Sequence, residues 1–243
     1  MSSRWRRVPP LVAVLLVTGC AATTGGTARP APVPPLIRVM LDGATLAKLL
    51  GQPFESVPFA PPSYGGGSEK FGTAWESATP AECIGVVFMM QKIVYQSVPV
   101  RDVADEMWTS DGHSAKVDSV DEGVISLPSP KDAAAAFAQF SAQWQGCDGT
   151  TLTAASATSA NNAISDVRLA DSVVAANVSM QPPEPSILAS VPLARALGVR
   201  GNCLVEVAVH FFGNSYPSDQ GSGDINTSAV DIAHAMMDRL ALS

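Results

Sequence analysis

A cysteine near the amino terminus has the clearest chemical role in this sequence. Val17-Thr18-Gly19-Cys20 closes a short apolar run, and three arginines precede that run. A basic region, roughly ten apolar residues and a pair of small residues are typical of a secretory signal. A cysteine directly after the small pair makes the segment a lipobox, in which the thiol is linked through a thioether to diacylglycerol. We therefore predict a lipoprotein signal peptide over residues 1–19 and lipidation of Cys20.

The alternative is an uncleaved membrane helix or an ordinary signal peptide. A spanning helix needs about 20 apolar residues, whereas Pro9 and Pro10 interrupt this run and Arg7 shortens it. An ordinary signal peptide gives no reason for a cysteine after the cleavage site. Several acyl chains on one residue, at about 0.8 kcal/mol per buried CH₂, are enough for stable anchoring. The expected location is the extracytoplasmic face of the cell membrane, with the membrane bound through the N-terminal lipid.

The charge balance argues against nucleic-acid partners. The chain has a formal net charge of −7, and removing residues 1–19 would remove three arginines and no acids. An acidic chain without a visible basic patch does not attract the phosphate backbone. We expect no nucleic-acid binding.

Histidines are few, and their neighbours in sequence do not form a known catalytic motif. His113 lies in a polar loop and His210 in a strand pattern. His234 precedes Asp238 by four residues, but a third and fourth metal ligand are missing. We expect no metal, no cofactor and no catalytic residues. The alternative is an envelope hydrolase that uses His113 or His210, which requires a Ser or Asp within hydrogen-bond reach of one of those rings.

Adjacent carboxylates also fail to form an acid–base pair. Asp121 and Glu122 are neighbours in a strand pattern, so their side chains point to opposite faces, unlike the paired carboxylates of glycosidases. A non-catalytic binding module instead predicts an apolar cleft without a cluster of titratable groups of perturbed pKa.

Three cysteines remain after Cys20 is assigned to the lipid. Cys83, Cys147 and Cys203 are an odd number in an oxidising compartment, which favours one disulfide and one free thiol. Their wide spacing, without a Cys-x-x-Cys pair, argues against a metal site. The count alone leaves three pairings open.

The elements that would position these residues follow from local pattern. Residues 20–35 are small and rich in proline, which predicts an extended, flexible tether. Residues 53–68 are expected to be irregular, and 84–95 are compatible with either a helix or a buried strand. Further expected elements are helices over 42–50, 100–108 and 130–146, a strand over 116–127 broken at Glu122-Gly123, two strands within 164–178, a strand over 203–212, and a final helix from Ser228.

These features together resemble a known family. Pro80-Ala81-Glu82-Cys83, then Trp144-Gln145-Gly146-Cys147 at a helix end, then Cys203 opening an alternating strand, follow the lipobox and tether. The pattern is similar to the extracellular sensor domain of the mycobacterial receptor Ser/Thr kinase H and to lipoproteins that carry this PknH-like domain alone. The resemblance implies an α+β fold, an antiparallel sheet with helices packed on it, in a single domain over residues 36–243. It also implies a cleft for an unidentified ligand and no catalytic residues.

The resemblance also selects among the cysteine pairings. Cys83 and Cys147 match the family's first disulfide, and both lie at the ends of expected elements. The partner that the family would give Cys203 is missing, and Cys203 shares a strand face with Val205 and Val207, which suggests a buried free thiol. The sequence thus predicts a lipid-anchored, non-catalytic extracytoplasmic sensor or binding domain whose ligand is a small molecule or a cell-wall component.

Overall fold

One antiparallel sheet organises the whole domain. A computed structural model describes residues 35–111, 115–156, 159–187, 189–213 and 220–241. In the described part, the strands are β1 (Phe54–Ser56), β2 (Ser63–Gly66), β3 (Asp102–Ser110), β4 (Val117–Ser126), β5 (Thr151–Thr153), β6 (Asn161–Ala170), β7 (Val173–Gln181), β8 (Val191–Arg200) and β9 (Cys203–Phe211). Their order in the sheet is β1-β3-β4-β9-β8-β7-β6-β5, and β2 also pairs with β3. Every pairing is antiparallel, which confirms the expected α+β class.

Helices cover both faces of this sheet. The described helices are α1 (Gly43–Leu50), α2 (Ile84–Val87), α3 (Lys92–Tyr95), α4 (Pro130–Gly146) and α5 (Ser228–Ala241), with short 3₁₀ helices at Pro35–Val39, Gly67–Lys70 and Ala81–Cys83. One core lies under α2, α3 and α4. The second core lies on the opposite face, under α1, α5 and the segment before α1. In the described part, no helix is both long and apolar enough to cross a membrane.

The long helix α4 forms where local signals predict it. The Ser129 hydroxyl accepts a hydrogen bond from the Asp132 N–H at 3.2 Å, and Pro130 occupies the first turn. Ala133, Phe140 and Trp144 are buried against the sheet. The helix over 42–50 is also confirmed as α1, which Asp42 caps through a 2.8 Å hydrogen bond from the Thr45 N–H.

The chain over 100–108 is a strand, so the helix predicted there is wrong. Val103, Met107 and Trp108 have a spacing that fits a helix, but residues 102–110 pair with β4 on one side and with β1 and β2 on the other. In the strand, Val103 belongs to one core and Ala104 to the other. Pairing with distant segments therefore overrides the local pattern.

Three further regions differ from the expectation, and in a fourth, residues 84–95, the structure decides between the two alternatives left open. The strand β4 runs through Glu122-Gly123 without a break; a Cβ on Gly123 would lie 2.9 Å from the Met90 Sδ, so the glycine makes room for that side chain. The irregular segment 53–68 contains the short edge strands β1 and β2, and 84–95 forms the two helices α2 and α3. The central strand β8 was not predicted.

Candidate ligand-binding cleft

A cleft of about 250 Å³ opens beside β3, β4 and β9 on the α4 face of the sheet. The helix α4 itself packs mainly on β8, with smaller contacts to β6, β7 and β9. Val87 at the end of α2 and residues 88–91, between α2 and α3, border the cleft on this face. The cleft therefore lies where the sheet extends beyond its main helix.

The sheet gives the cleft a floor of alternating side chains. Met107 of β3 lies opposite Asp121 of β4, and Asp121 lies opposite Ala208 of β9. His210 follows two residues after Ala208 and so points to the same face. Its Nε2 atom is 3.3 Å from the Asp121 Oδ2 atom, and both side chains are about one-third exposed or less.

The wall of the cleft is apolar and adaptable. Trp75 and Phe88 stack with ring centroids 4.1 Å apart and planes 8° from parallel. Four methionines, Met89, Met90, Met107 and Met180, also line the cleft. Unbranched thioether side chains adjust their shape to what they contact, so this wall suits an apolar group without fixing its outline.

Three polar side chains linked by hydrogen bonds lie at one side of the cleft. The Ser63 hydroxyl of β2 donates a short hydrogen bond to the Asp105 carboxylate of β3. The Lys70 Nζ donates to the Ser63 Oγ at 3.4 Å. Asp105 and Lys70 both line the cleft, so this side offers one carboxylate and one ammonium group.

Gln91 contributes a buried amide with one unsatisfied end. The side chain is 7 % exposed, and its Nε2 donates to the Met89 carbonyl at 2.8 Å. Its Oε1 is buried and has no hydrogen-bond partner among the described residues. If the amide were flipped, its oxygen would lie against the Met89 carbonyl oxygen, and two acceptors would face each other. The hydrogen bond to Met89 therefore shows that Oε1 is the atom without a partner. A buried acceptor without a donor is costly.

A buried network beneath the cleft holds one of its walls. The Glu206 carboxylate accepts hydrogen bonds from the Tyr95 hydroxyl at 2.5 Å, the Arg195 guanidinium at 2.9 Å and the Met90 N–H at 3.4 Å. Burial raises the pKa of the Tyr95 hydroxyl, and the nearby Glu206 charge adds to this. Because the Met90 N–H is a backbone donor, its hydrogen bond to Glu206 holds the Met90 main chain in place at the cleft wall.

Two carboxyl groups with raised pKa values lie on β3 and β4 and point to the face of the sheet opposite to the cleft floor. Glu106 is directly opposite Glu122 in the β3–β4 ladder. Burial raises the pKa of Glu122 to about 8, and the Glu106 charge adds to this; the Leu41 N–H donates to its Oε2 at 2.9 Å and partly opposes the shift. Burial also raises the pKa of Glu106 to about 7. The ladder register thus brings together two acids that are distant in sequence, on the face of the sheet opposite to Asp121 and His210.

The cysteines have the arrangement that the resemblance implies. Cys83 and Cys147 form a disulfide, with Cα atoms 5.7 Å apart. Cys203 is a buried free cysteine, and burial raises the pKa of its thiol to about 11. Cys20 and His113 lie outside the described residues, as do the signal segment and nearly all of the tether. Among the described residues, no group of three or more His, Cys, Asp or Glu side chains could hold a metal ion.

His210 meets the geometric requirement stated for the hydrolase alternative, because an Asp lies within reach of its ring. A hydrolase of this kind also needs a nucleophile beside the histidine. Ser119 lies opposite His210 in the β4–β9 register, but it is buried and makes no hydrogen bond to the ring. Within the described ranges, no Ser, Thr or Cys side chain bonds to this histidine. The arrangement thus has an orienting acid and a base but no paired nucleophile.

Sequence reasoning singled out His210 in this cleft but missed Asp105 and Gln91, and it considered Asp121 only as a neighbour of Glu122. These residues come from separate chain segments, and only the strand register shows that they are close. Among the described residues, the site is thus a cleft on an α+β domain, with an apolar lining and the Asp121–His210 pair.

Comparison with known proteins gives the family. The model of the PknH-like extracellular domain matches residues 31–239, so the chain belongs to this family. The fold is similar to that in the crystal structure of the extracellular domain of PknH from Mycobacterium tuberculosis, with a TM-score of 0.66 and 15 % sequence identity, covering 84 % of this chain and 94 % of that chain. No curated protein sequence matches the chain. Membership supports an extracytoplasmic location and is consistent with a domain that is not an enzyme.

Proposed function

We propose that this protein is a lipid-anchored sensor domain of the cell envelope that binds a small, partly apolar ligand in the cleft beside β3, β4 and β9. The observation that supports this most directly is the cleft itself. The Trp75–Phe88 stack and four methionines give the cleft an apolar lining, and the same cleft contains the Asp121–His210 pair. Concave sites with an apolar lining and a few convergent polar groups are the usual form of small-ligand sites.

Lipid anchoring belongs to the same proposal and rests on the sequence. Cys20 would place the domain on the outer face of the membrane, and residues 20–35 would act as a spacer. The domain would then meet molecules that are free in the envelope or released from the cell wall.

The methionines allow a direct test of cleft binding. Four of them line the cleft, whereas Met40, Met236 and Met237 are buried in the core on the opposite face. Protein labelled with ¹³C at the methionine methyl groups would be titrated with three probes that share a phenylethyl body: 2-phenylethanol, phenethylamine and 3-phenylpropionate. We expect at least one probe to shift the signals of Met89, Met90, Met107 and Met180 and to leave the other three in place.

A variant that fills the cleft makes the result specific. Met107→Trp places a larger side chain on the cleft floor and should abolish the shifts of the remaining cleft methionines. Leu169→Trp makes a similar change at an exposed position of β6 and serves as its control. The proposal fails if none of the three probes shifts the cleft signals, or if the Met107→Trp protein binds as the parent does.

A further inference from the structure

The polar groups along the cleft with unused hydrogen-bonding capacity are predominantly acceptors. The Gln91 Oε1 is buried without a partner among the described residues, and the Gln91 Nε2 is already bound to Met89. Asp121, which faces His210, and Asp105, which accepts from Ser63, add two carboxylates that can each accept further hydrogen bonds. A ligand that satisfies this set must bring hydrogen-bond donors.

The charges in the cleft favour the same kind of ligand. Among the described residues that line the cleft, the basic side chains are Lys70, at one side, and His210, whose ring already faces Asp121. No arginine is among these described lining residues. An anionic ligand would approach two carboxylates at close range, and like-charge contacts of this kind are unfavourable.

The aromatic wall agrees with the charges. Trp75 and Phe88 stack, so one face of each ring is covered by the other ring. Ring faces attract cations, and ammonium ligands are commonly recognised by aromatic side chains that surround them. The methionines nearby would contact the apolar part of such a ligand.

We infer that the cleft selects an apolar amine: a ligand whose ammonium group donates to the Asp121 carboxylate and to the Gln91 Oε1, which a small shift of the adaptable wall exposes. The apolar body of this ligand packs on the Trp75–Phe88 stack and the methionines. This inference rests on the proposed function, because it assigns a ligand class to the same cleft. The inferred ligand carries a single cationic group, because a cleft of about 250 Å³ is small for a ligand site and holds only a small molecule.

The three probes already named separate charge from shape. Phenethylamine, 2-phenylethanol and 3-phenylpropionate share the phenylethyl body and are cationic, neutral and anionic near neutral pH. Because a hydrogen bond to a charged group contributes more than a neutral one, we expect phenethylamine to bind about tenfold more tightly than the alcohol and more tightly still than the carboxylate. The shifts of the cleft methionines measure each affinity.

Two variants assign the effect to named groups. Asp121→Asn and Gln91→Leu should each weaken phenethylamine binding about tenfold and change 2-phenylethanol binding little. Asp118→Asn is the matched control, since Asp118 lies on the same strand with an exposed side chain. Unchanged signals of Met40, Met236 and Met237 show that each variant remains folded.

The outcomes distinguish the two proposals. Equal or tighter binding of the alcohol or the carboxylate overturns the amine inference and leaves the cleft proposal standing. Preference for the amine that survives both Asp121→Asn and Gln91→Leu also overturns it, because the selectivity would then arise elsewhere. Failure of all three probes to shift the cleft methionines overturns the proposed function together with this inference.

Discussion

The guanidinium of Arg195 on β8 donates to the carboxylate of Glu206 on β9 at 2.9 Å, and both side chains are almost completely removed from solvent. The remaining donors of Arg195 go to the backbone carbonyls of Val86, Val207 and Gly85. The guanidinium therefore joins the sheet to α2 while its charge is neutralised by Glu206. Since Glu206 also accepts from the Met90 N–H, this pair links the domain core to the cleft wall.

Removing the cation alone should strongly destabilise the domain. Arg195→Met would leave the Glu206 carboxylate buried without its ionic partner, a change that typically costs about 3–5 kcal/mol in unfolding free energy. Denaturant unfolding monitored by circular dichroism measures this cost. Arg38→Met removes an exposed arginine and should have little effect. Adding Glu206→Gln to Arg195→Met should restore part of the loss; a double variant that is less stable than the single one would contradict this account.

Stability should fall as the pH rises across neutrality, because of Glu122. Its pKa is about 8 in the folded protein against a usual value of 4.5, so the folded state holds a proton that the unfolded state releases. Stability from this group is therefore full below about pH 4.5 and is lost as the pH rises to about 8, by on the order of a few kcal/mol. The groups that act on it are Glu106 and Asp42, which raise its pKa, and the Leu41 N–H and Arg239, which lower it.

Glu122→Gln isolates this effect. The amide oxygen can still accept from the Leu41 N–H, and the side chain no longer ionises. We expect a flatter stability profile between pH 5 and pH 8 and a gain in stability at the alkaline end, measured by thermal unfolding over that range. Glu55→Gln, at an exposed position of β1, is the control. An unchanged pH slope in Glu122→Gln would refute the assignment.

Membrane anchoring should depend on one atom, the Cys20 sulfur. Cys20→Ala removes the site of lipid attachment predicted from the Val17–Cys20 lipobox, and acyl chains are the expected source of membrane affinity. The variant should therefore move from the membrane pellet to the soluble extract after fractionation. Cys203→Ala changes a buried cysteine and should stay in the pellet with the parent. Retention of Cys20→Ala in the pellet after a high-salt wash would show that the lipobox reading is wrong.

The local sequence was sufficient to predict a helix or strand when the residues that determine it lie within that element. The helix α4 has a capping serine, a proline in its first turn and an apolar face that includes Phe140 and Trp144, so it could be predicted within its own length. The strand β3 could not be predicted from its own residues, because Val103, Met107 and Trp108 have the spacing of a helix face. It is a strand because it pairs with β1, β2 and β4, which are distant in sequence or not recognisable as partners from local pattern. The strand β8 contains Pro192 and a buried Arg195, which obscure any alternation.

The cleft was harder to predict for the same reason. Its parts come from the ends of short helices and from four strands, and their closeness is set by the sheet register. His210 was recognised as a candidate because histidine is rare in this chain. Gln91 had no such signal: its role follows from the hydrogen bond that its amide makes with Met89 and from the oxygen left over, which only side-chain positions show.

The disulfide should supply a large share of the domain's stability. Cys83 directly precedes α2 and Cys147 directly follows α4, and the bond closes a sequence separation of 64 residues. In the loop-entropy model, closing a loop of this length restricts the unfolded chain by roughly 4 kcal/mol. The double variant Cys83→Ser/Cys147→Ser should therefore melt at a markedly lower temperature than the parent, as should the reduced parent protein. Cys203→Ser leaves the bond in place and is the control, and non-reducing peptide mapping of that variant should still yield the Cys83–Cys147 peptide. A linkage of either cysteine to Cys203 in the parent protein, or an unchanged melting temperature on reduction, would contradict the role assigned to this bond.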